Sequence, residues 1–365
     1  MRIHQPDYSL IFIVLFLVFF GLGILSSASL VLSREVVGQS NYFLKHQLFY
    51  SIPFGLAAFF VCQRINYKYW QKLAFPLMIL SLVMLALVFV PGLGYGYGGA
   101  KRWIGFGPFS LQPFEFVKLA FVVYLASLLG RKKQRDLRII KQSLIPFFIT
   151  FTAIAVMVLL QPNMSALIIT GLIAGLLYFL AGLNVVYLAV IAGLSLAGFF
   201  VLVKTSFYRM ERLTVFLHPE IDPQGVGYQI NQALLAIGSG GLFGLGWGHS
   251  IQKWKYLPEP IGDSIFAIAA EELGLIGAGV LVIAFMMLAW RGFKIAKEAP
   301  NKFGYLLAGG ITGWIFFQAF INMAAISRLI PLTGMPLPFI SYGGSAMIVS
   351  LAGIGILVNI SKYTK

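Results

Sequence analysis

Long apolar runs separated by short polar connectors dominate the chain. The runs fall near 9–32, 45–63, 73–91, 112–130, 142–160, 164–182, 184–203, 264–290, 303–326 and 340–361. A helix needs about 20 apolar residues to cross a bilayer, and these runs have that length. They lack the alternation of a membrane β-strand. The pattern predicts an all-α polytopic membrane protein with about ten transmembrane helices, forming one domain over 1–365. Segment 204–263, between the seventh and eighth spans, is then a large extracytoplasmic loop within that domain. No internal repeat is visible, so the inverted-repeat signature of many transporters is missing.

Three polar or irregular segments, 92–111, 204–263 and 327–344, interrupt the pattern. The first is rich in Gly and Tyr and reads as an adaptable loop. The second carries an amphipathic stretch over about 227–237, with Gln229, Asn231 and Gln232, suited to lying at the membrane interface. It continues into a Gly-rich run over 238–248 that reads as a flexible turn and does not match a Walker loop. The third has three prolines, which prevent ordinary helix. Non-helical backbone at membrane depth survives when it is buried in protein or lines a cavity, so this segment is expected to wall an outer cavity.

Composition agrees: 59% of the residues are hydrophobic and 11% charged. The net charge of +15 is explained by basic cytoplasmic loops, and no nucleic-acid role is needed. With the N-terminus inside, the inner segments hold 16 Lys and Arg and the outer ones 10, and the short loops favour both termini being cytoplasmic. The three irregular segments then face outward, where function is expected on loops held by a helical scaffold. The first run is longer than a signal-peptide core and reads as an uncleaved helix. Cys62 stands alone, and the four histidines show no metal-ligand spacing.

The chain has only 12 acidic residues, so the cluster Glu259, Asp263, Glu271 and Glu272 at the head of an apolar span calls for explanation. Carboxylates near hydrocarbon mark functional sites by default. Asp263 sits at the membrane edge; Glu271 and Glu272 read mainly as architecture. Glu115 and Lys118, three apart in the fourth span, can pair on one helix face. Lys101, Arg102 and Trp103 put two charges beside an indole, a set suited to an anionic headgroup or, equally, to interfacial anchoring. Gln161-Pro162-Asn163 reads as a tight turn.

Several motifs together resemble the SEDS family (shape, elongation, division and sporulation), the FtsW/RodA type, over nearly the whole chain. They are Ala-Lys-Arg-Trp-Ile at 100–104, Gln-Pro-Phe-Glu-Phe-Val-Lys-Leu at 112–119 and Gly-Tyr-Gln-Ile-Asn-Gln-Ala at 227–233. Tyr-Leu-Pro-Glu…Asp…Ile-Phe-Ala…Glu-Glu-Leu-Gly at 256–274 and Gly-Met-Pro-Leu-Pro-Phe-Ile-Ser-Tyr-Gly-Gly-Ser at 334–345 complete the set. The long loop reads closer to the division and sporulation branch. The resemblance implies a peptidoglycan glycosyltransferase of the bacterial plasma membrane. It would polymerise lipid II into β-1,4-linked glycan strands beside a class B penicillin-binding protein and other division or elongation proteins. The family's essential acidic residue falls on Asp263, the expected general base. Its paired Glu and Lys fall on Glu115 and Lys118. Lys101, Arg102, Trp103, Arg209, Arg212, Gln232, Lys253, Glu259 and Ser341 are the further expected substrate contacts. No protein metal cage is visible, although a divalent cation, Mg or Mn, accompanying the pyrophosphate is compatible with the chemistry. The chain departs from the family pattern at Phe114, Asn163, Ile261-Gly262 and Ser264. A lipid II flippase or other transporter, and a non-catalytic division scaffold, are the alternatives.

Overall fold

The computed structural model describes residues 4–97, 100–106, 109–130, 137–183, 207–218 and 225–364, with isolated positions between 185 and 204. Nine of the expected spans correspond to helix; the one over 184–203 falls largely outside the described residues. The chain opens with α1 (Tyr8–Ala28), α2 (Leu30–Val37) and α3 (Tyr42–His46). A π-helical turn over Gln47–Ser51 joins α3 to α4 (Ile52–Arg64), and α5 (Tyr67–Leu87) follows. After a small sheet come α6 (Pro113–Gly130), α7 (Leu137–Leu160) and α8 (Met164–Leu180). The long loop contributes α9 (Phe207–Leu217) and α10 (Val226–Ser239). The chain closes with α11 (Ile265–Lys297), α12 (Lys302–Ile326) and α13 (Gly344–Ser361). Among the described residues, six helices (α1, α5, α6, α11, α12 and α13) are long and apolar enough to cross a membrane, and α7 and α8 contain shorter apolar helices. This is a multi-pass helical membrane protein.

Helices α6, α12 and α13 are the most enclosed, whereas α5 leaves most of its surface on the periphery. That enclosure explains why α12 tolerates Thr312, Gln318 and Asn322, all buried: each faces protein rather than lipid. Both chain ends meet at one end of the bundle, where the His4 N–H donates to the Lys362 carbonyl at 2.8 Å and the Asp7 N–H to Ser361 Oγ at 3.0 Å. Asp7 also caps α1, and its carboxylate pairs with Arg291 at 2.6 Å, fixing the lower part of α11 to the same level.

Three features differ from the sequence expectation. Segment 92–111 is not an adaptable loop but a three-stranded antiparallel sheet, β1 (Gly94–Tyr97), β2 (Ala100–Phe106) and β3 (Phe109–Leu111). Its Tyr, Trp and Phe side chains suit the pleat, and Gly96 lets the backbone pass the Ala100 carbonyl where a Cβ would stand 1.9 Å away. The third span begins earlier, at Tyr67, because Asn66 caps it by accepting from the Lys68 N–H, which makes the polar Lys68–Lys72 turn helical. The eighth is not continuous. Gly274, at φ 66° and ψ −167°, breaks α11 into two half-helices.

The break is closed by protein. The N–H groups of Leu275 and Ile276 donate to the carbonyls of Gly241 and Leu242, at 2.8 and 3.2 Å. Leu245 and Gly246 N–H donate in turn to the carbonyls of Glu271 and Glu272, at 2.9 and 3.0 Å. The groups freed by the break are thus satisfied without water. Both Gly274 and Gly244 are required, since a Cβ on the first would lie 2.4 Å from the Gly244 nitrogen and one on the second 2.1 Å from the Glu272 carbonyl oxygen.

Candidate functional site

Asp263 stands at the end of the turn that delivers the chain into α11. Glu259 starts the turn in the left-handed region, φ 50°, and its carbonyl accepts from the N–H groups of Gly262 and Ser264, at 3.0 and 3.3 Å. The next three carbonyls are held one by one from the other side. That of Ile261 accepts from Tyr342 N–H at 2.9 Å, that of Gly262 from Ser341 Oγ at 2.6 Å, and that of Asp263 from Asn322 Nδ2 at 2.8 Å. The backbone carrying the carboxyl is therefore fixed by α12 and the proline-rich segment 327–343.

The carboxyl itself is more loosely held. Gln229 Nε2, from α10, donates to Asp263 Oδ1 at 3.3 Å and to Ser264 Oγ at 3.1 Å. Ser264 is fully buried, and its hydroxyl lies 3.5 Å from the same Oδ1. Gly334 faces the second oxygen, where a Cβ would stand 3.7 Å away and cover it. Burial pushes the Asp263 carboxyl up to about 6 and the Glu259 carboxylate adds to the rise; the Gln229 hydrogen bond and the Arg212 charge oppose it. A partly exposed acid of this kind can take up a proton near neutral pH.

The expected substrate contacts divide into two groups. Arg212, on α9, is electrostatically coupled to Asp263 and donates to the Leu332 carbonyl at 3.1 Å. Glu259 is exposed beside the turn, Lys101 is exposed on β2, and Trp103 is half-buried opposite Tyr95. Arg209 lies on the first turn of α9, and its side chain is outside the described residues. Gln232 is half-buried on α10; it is Gln229, one turn earlier, that reaches Asp263. The rest are engaged within the protein. Arg102 donates to the carbonyls of Gln161 and Pro162, at 3.2 and 2.5 Å, tying the sheet to the turn before α8. Ser341 accepts from Leu337 N–H while donating to Gly262, which makes it a brace for the turn. Lys253 is buried, and its Nζ reaches Ser27 Oγ at 2.9 Å, the Gly248 carbonyl at 2.5 Å and Glu272 Oε1 at 3.3 Å. Lys253 is one of the expected substrate contacts; here its ammonium lies beside a buried carboxylate. Glu271 accepts from Ser250 Oγ and from Ile251 and Gln252 N–H, so both glutamates organise the loop before Asp263. Among the described residues, no three His, Cys, Asp or Glu side chains converge on a metal position.

The family model described as cell cycle protein, FtsW/RodA/SpoVE, matches residues 8–365. The chain belongs to this family. Stage V sporulation protein E of Bacillus subtilis (strain 168) is 39% identical over 362 residues, covering 99% of this chain and 98% of that one. The probable peptidoglycan glycosyltransferase FtsW of Trichlorobacter lovleyi is 38% identical over 364 residues, covering 100% and 95%. Among solved structures, a chain from a peptidoglycan synthase complex that coordinates polymerization and crosslinking superposes with a TM-score of 0.80 at 27% identity, covering 99% of each chain. The rod shape determining protein RodA of Thermus thermophilus gives 0.70 at 29% identity, covering 99% of this chain and 98% of that one.

In this FtsW/RodA-type scaffold Gln318 and Asn322, which sequence reasoning missed, join the site to the core and to the expected Glu115–Lys118 pair. Glu115 and Lys118 form a buried pair, with both carboxylate oxygens within 2.9 Å of Nζ. Lys118 also donates to Gln318 Oε1 at 2.6 Å and lies 5.2 Å from the Trp314 ring centroid. Gln318 Nε2 donates to the Pro336 carbonyl at 2.9 Å. One turn further along α12, Asn322 donates to the carbonyls of both Met335 and Asp263. The pair therefore acts on the site through the proline-rich wall. The signal was the i, i+4 spacing of two amides on an otherwise apolar helix face.

Proposed function

We propose that this protein is a peptidoglycan glycosyltransferase that polymerises lipid II, with Asp263 as general base. The observation that carries the reading is the Asp263 carboxyl: partly accessible, set on a pinned backbone, and titrating near 6. In the reaction the acceptor sugar 4-hydroxyl attacks the anomeric carbon of the lipid-pyrophosphate donor. The new glycosidic bond forms with inversion as the bond to pyrophosphate breaks, and the hydroxyl proton passes to Asp263. Arg212, the cation coupled to Asp263, and the exposed Lys101 are suited to the leaving pyrophosphate's charge. A divalent cation would travel with the pyrophosphate; among the described residues, Asp263 and Glu259 are the carboxylates of this turn that could offer it oxygens. Glu115, Lys118, Gln318 and Asn322 keep the wall and the Asp263 carbonyl in register.

The reading includes ten spans in the bacterial plasma membrane with both termini cytoplasmic, supported by the basic residues Arg64, Lys297 and Lys362 near the end where the termini meet. A class B penicillin-binding protein is the proposed partner, supported by the similarity to a chain of a peptidoglycan synthase complex. Reconstitution with such a partner and labelled lipid II tests the assignment. Asp263→Asn is expected to lower polymer formation by orders of magnitude while the protein stays folded. Undiminished polymer would overturn the role of Asp263, and lipid translocation without polymer in the wild type would favour the flippase.

A further inference from the structure

The 241–247 turn that stitches the α11 break also carries an apolar face. Leu242, Phe243, Leu245 and Trp247 are all exposed, Phe243 at 79%, although the turn is firmly held by the hydrogen bonds that close the break. Its height in the bundle can be read from two independent helices. On α11, Ile276, which donates to the Leu242 carbonyl, lies fifteen residues above Arg291, about 22 Å at 1.5 Å per residue. On α1, Gly23 lies sixteen residues above Asp7, about 24 Å by the same rise. A Cβ on Gly23 would stand 2.4 Å from the Trp247 ring, so that indole is seated on the helix at this level. Asp7 and Arg291 are themselves ion-paired, so both measurements start from the same plane. The two heights agree, and both fall short of the roughly 30 Å of a bilayer's hydrocarbon.

We infer that residues 241–247 form a re-entrant wedge whose Leu242, Phe243, Leu245 and Trp247 face contacts lipid acyl chains in the leaflet opposite the termini. A loop at this depth needs its backbone groups met by protein, and the exchange with the α11 break does this for the Leu245 and Gly246 N–H groups and the Gly241 and Leu242 carbonyls. The polar continuation of the loop is drawn back into the protein. Ser250 and Lys253 bind the buried Glu271 and Glu272, leaving the apolar side chains turned outward. The wedge also sets a height for the turn above it. The upper half of α11, Ile265 to Leu273, rises about 13 Å from the break. Asp263 then emerges beyond the hydrocarbon, at the level of lipid headgroups; this last step alone rests on the proposed function.

Depth can be measured without an activity assay. In the full chain carrying Cys62→Ser, spin labels are placed singly through Phe243→Cys, Leu242→Cys, Ile283→Cys and Tyr256→Cys, and the protein is reconstituted in vesicles of phosphatidylglycerol and phosphatidylethanolamine. Ile283 is an exposed α11 position below the break, and Tyr256 is an exposed position beyond the buried cluster. The expected result at 243 and 242 is an Ile283-like signal, with oxygen collisions several-fold higher and collisions with an aqueous nickel chelate several-fold lower than at Tyr256. Chelate collisions as frequent as at Tyr256 would place the turn in water and overturn the inference. Low collision with both reagents would mean that a protein surface covers the face, which overturns lipid as its occupant. Two wedge positions are used so that one variant failing to fold leaves the other decisive. Polymerisation by Asp263→Asn tests the proposed function alone and has no bearing on this depth measurement.

Discussion

A carboxyl that titrates near 6 is a base only above that pH. Below it Asp263 holds its proton and cannot accept another, so polymerisation is expected to rise with pH through about 6 and level off. The neighbours of Asp263 give this limb a direction that can be tested. Glu259 raises the carboxyl's pKa by charge repulsion, so Glu259→Gln is expected to move the acid limb to lower pH. Gln229 favours the charged form through its hydrogen bond, so Gln229→Leu is expected to move the limb to higher pH. Initial rates across pH 5 to 8, a window chosen to bracket the usual physiological range, read both shifts; two variants moving the same way would refute the electrostatic account. Asp263→Asn is expected to lower the rate by about 10²–10⁴-fold, the usual worth of a positioned base. Ser264 adds to this picture in a way its identity alone does not disclose. Buried beside Asp263, it accepts from the amide that donates to the carboxyl, so it shares Gln229 with the proposed base.

The helix beyond Asp263 shows how legible such a fold is. Apolar runs reveal spans because lipid and core impose the same requirement, and the amphipathic stretch predicted over 227–237 lies within α10. The Gly274 break left no such trace: the residues on both sides are apolar or good helix formers, and the turn that closes it comes from 241–246. The sheet was hidden for the opposite reason. Glycines that read as flexibility permit close backbone pairing, as Gly96 does against Ala100. Asp263 and the Glu115–Lys118 pair stood out because charge is rare here, whereas Asn322 and Gln318 act through backbone carbonyls of residues whose proximity only the fold creates. Two substitutions test these elements. Gly274→Ala would force a Cβ into the Gly244 nitrogen at φ 66°, and strain of about 1–3 kcal/mol before the clash is expected to lower the thermal midpoint clearly. Asn322→Ala would strip partners from two carbonyls, each costing about 1–3 kcal/mol if left unsatisfied. It is expected to reduce polymerisation more than lipid II binding, because it loosens the base's backbone; equal losses in both would argue against that role.

Across the molecule, charge is placed at three levels, and each answers a different need. Asp7 and Arg291 tie the ends of α1 and α11 where the termini meet; Lys253 and Glu272 join the long loop to the bundle; Asp263 stands beyond them. The middle level decides between a structural and a substrate-binding use of Lys253. If the ammonium served pyrophosphate, Lys253→Met would lower turnover and leave stability nearly unchanged. The geometry predicts the reverse order of events. Removing the ammonium strands Glu272, fully buried, beside a second buried carboxylate on Glu271. Breaking a buried pair in this way typically costs about 3–5 kcal/mol, because the remaining charge is uncompensated. Lys253→Met is therefore expected to drop the thermal midpoint of the purified protein, and adding Glu272→Gln is expected to restore much of it by removing the stranded charge. Glu272→Gln still offers an oxygen to Ser27 and Ser250, the groups that now donate to the carboxylate. Polymerisation by the double variant, measured where it is folded, should then return toward the wild-type rate. A double variant that is stable but inactive would put Lys253 back among the substrate contacts.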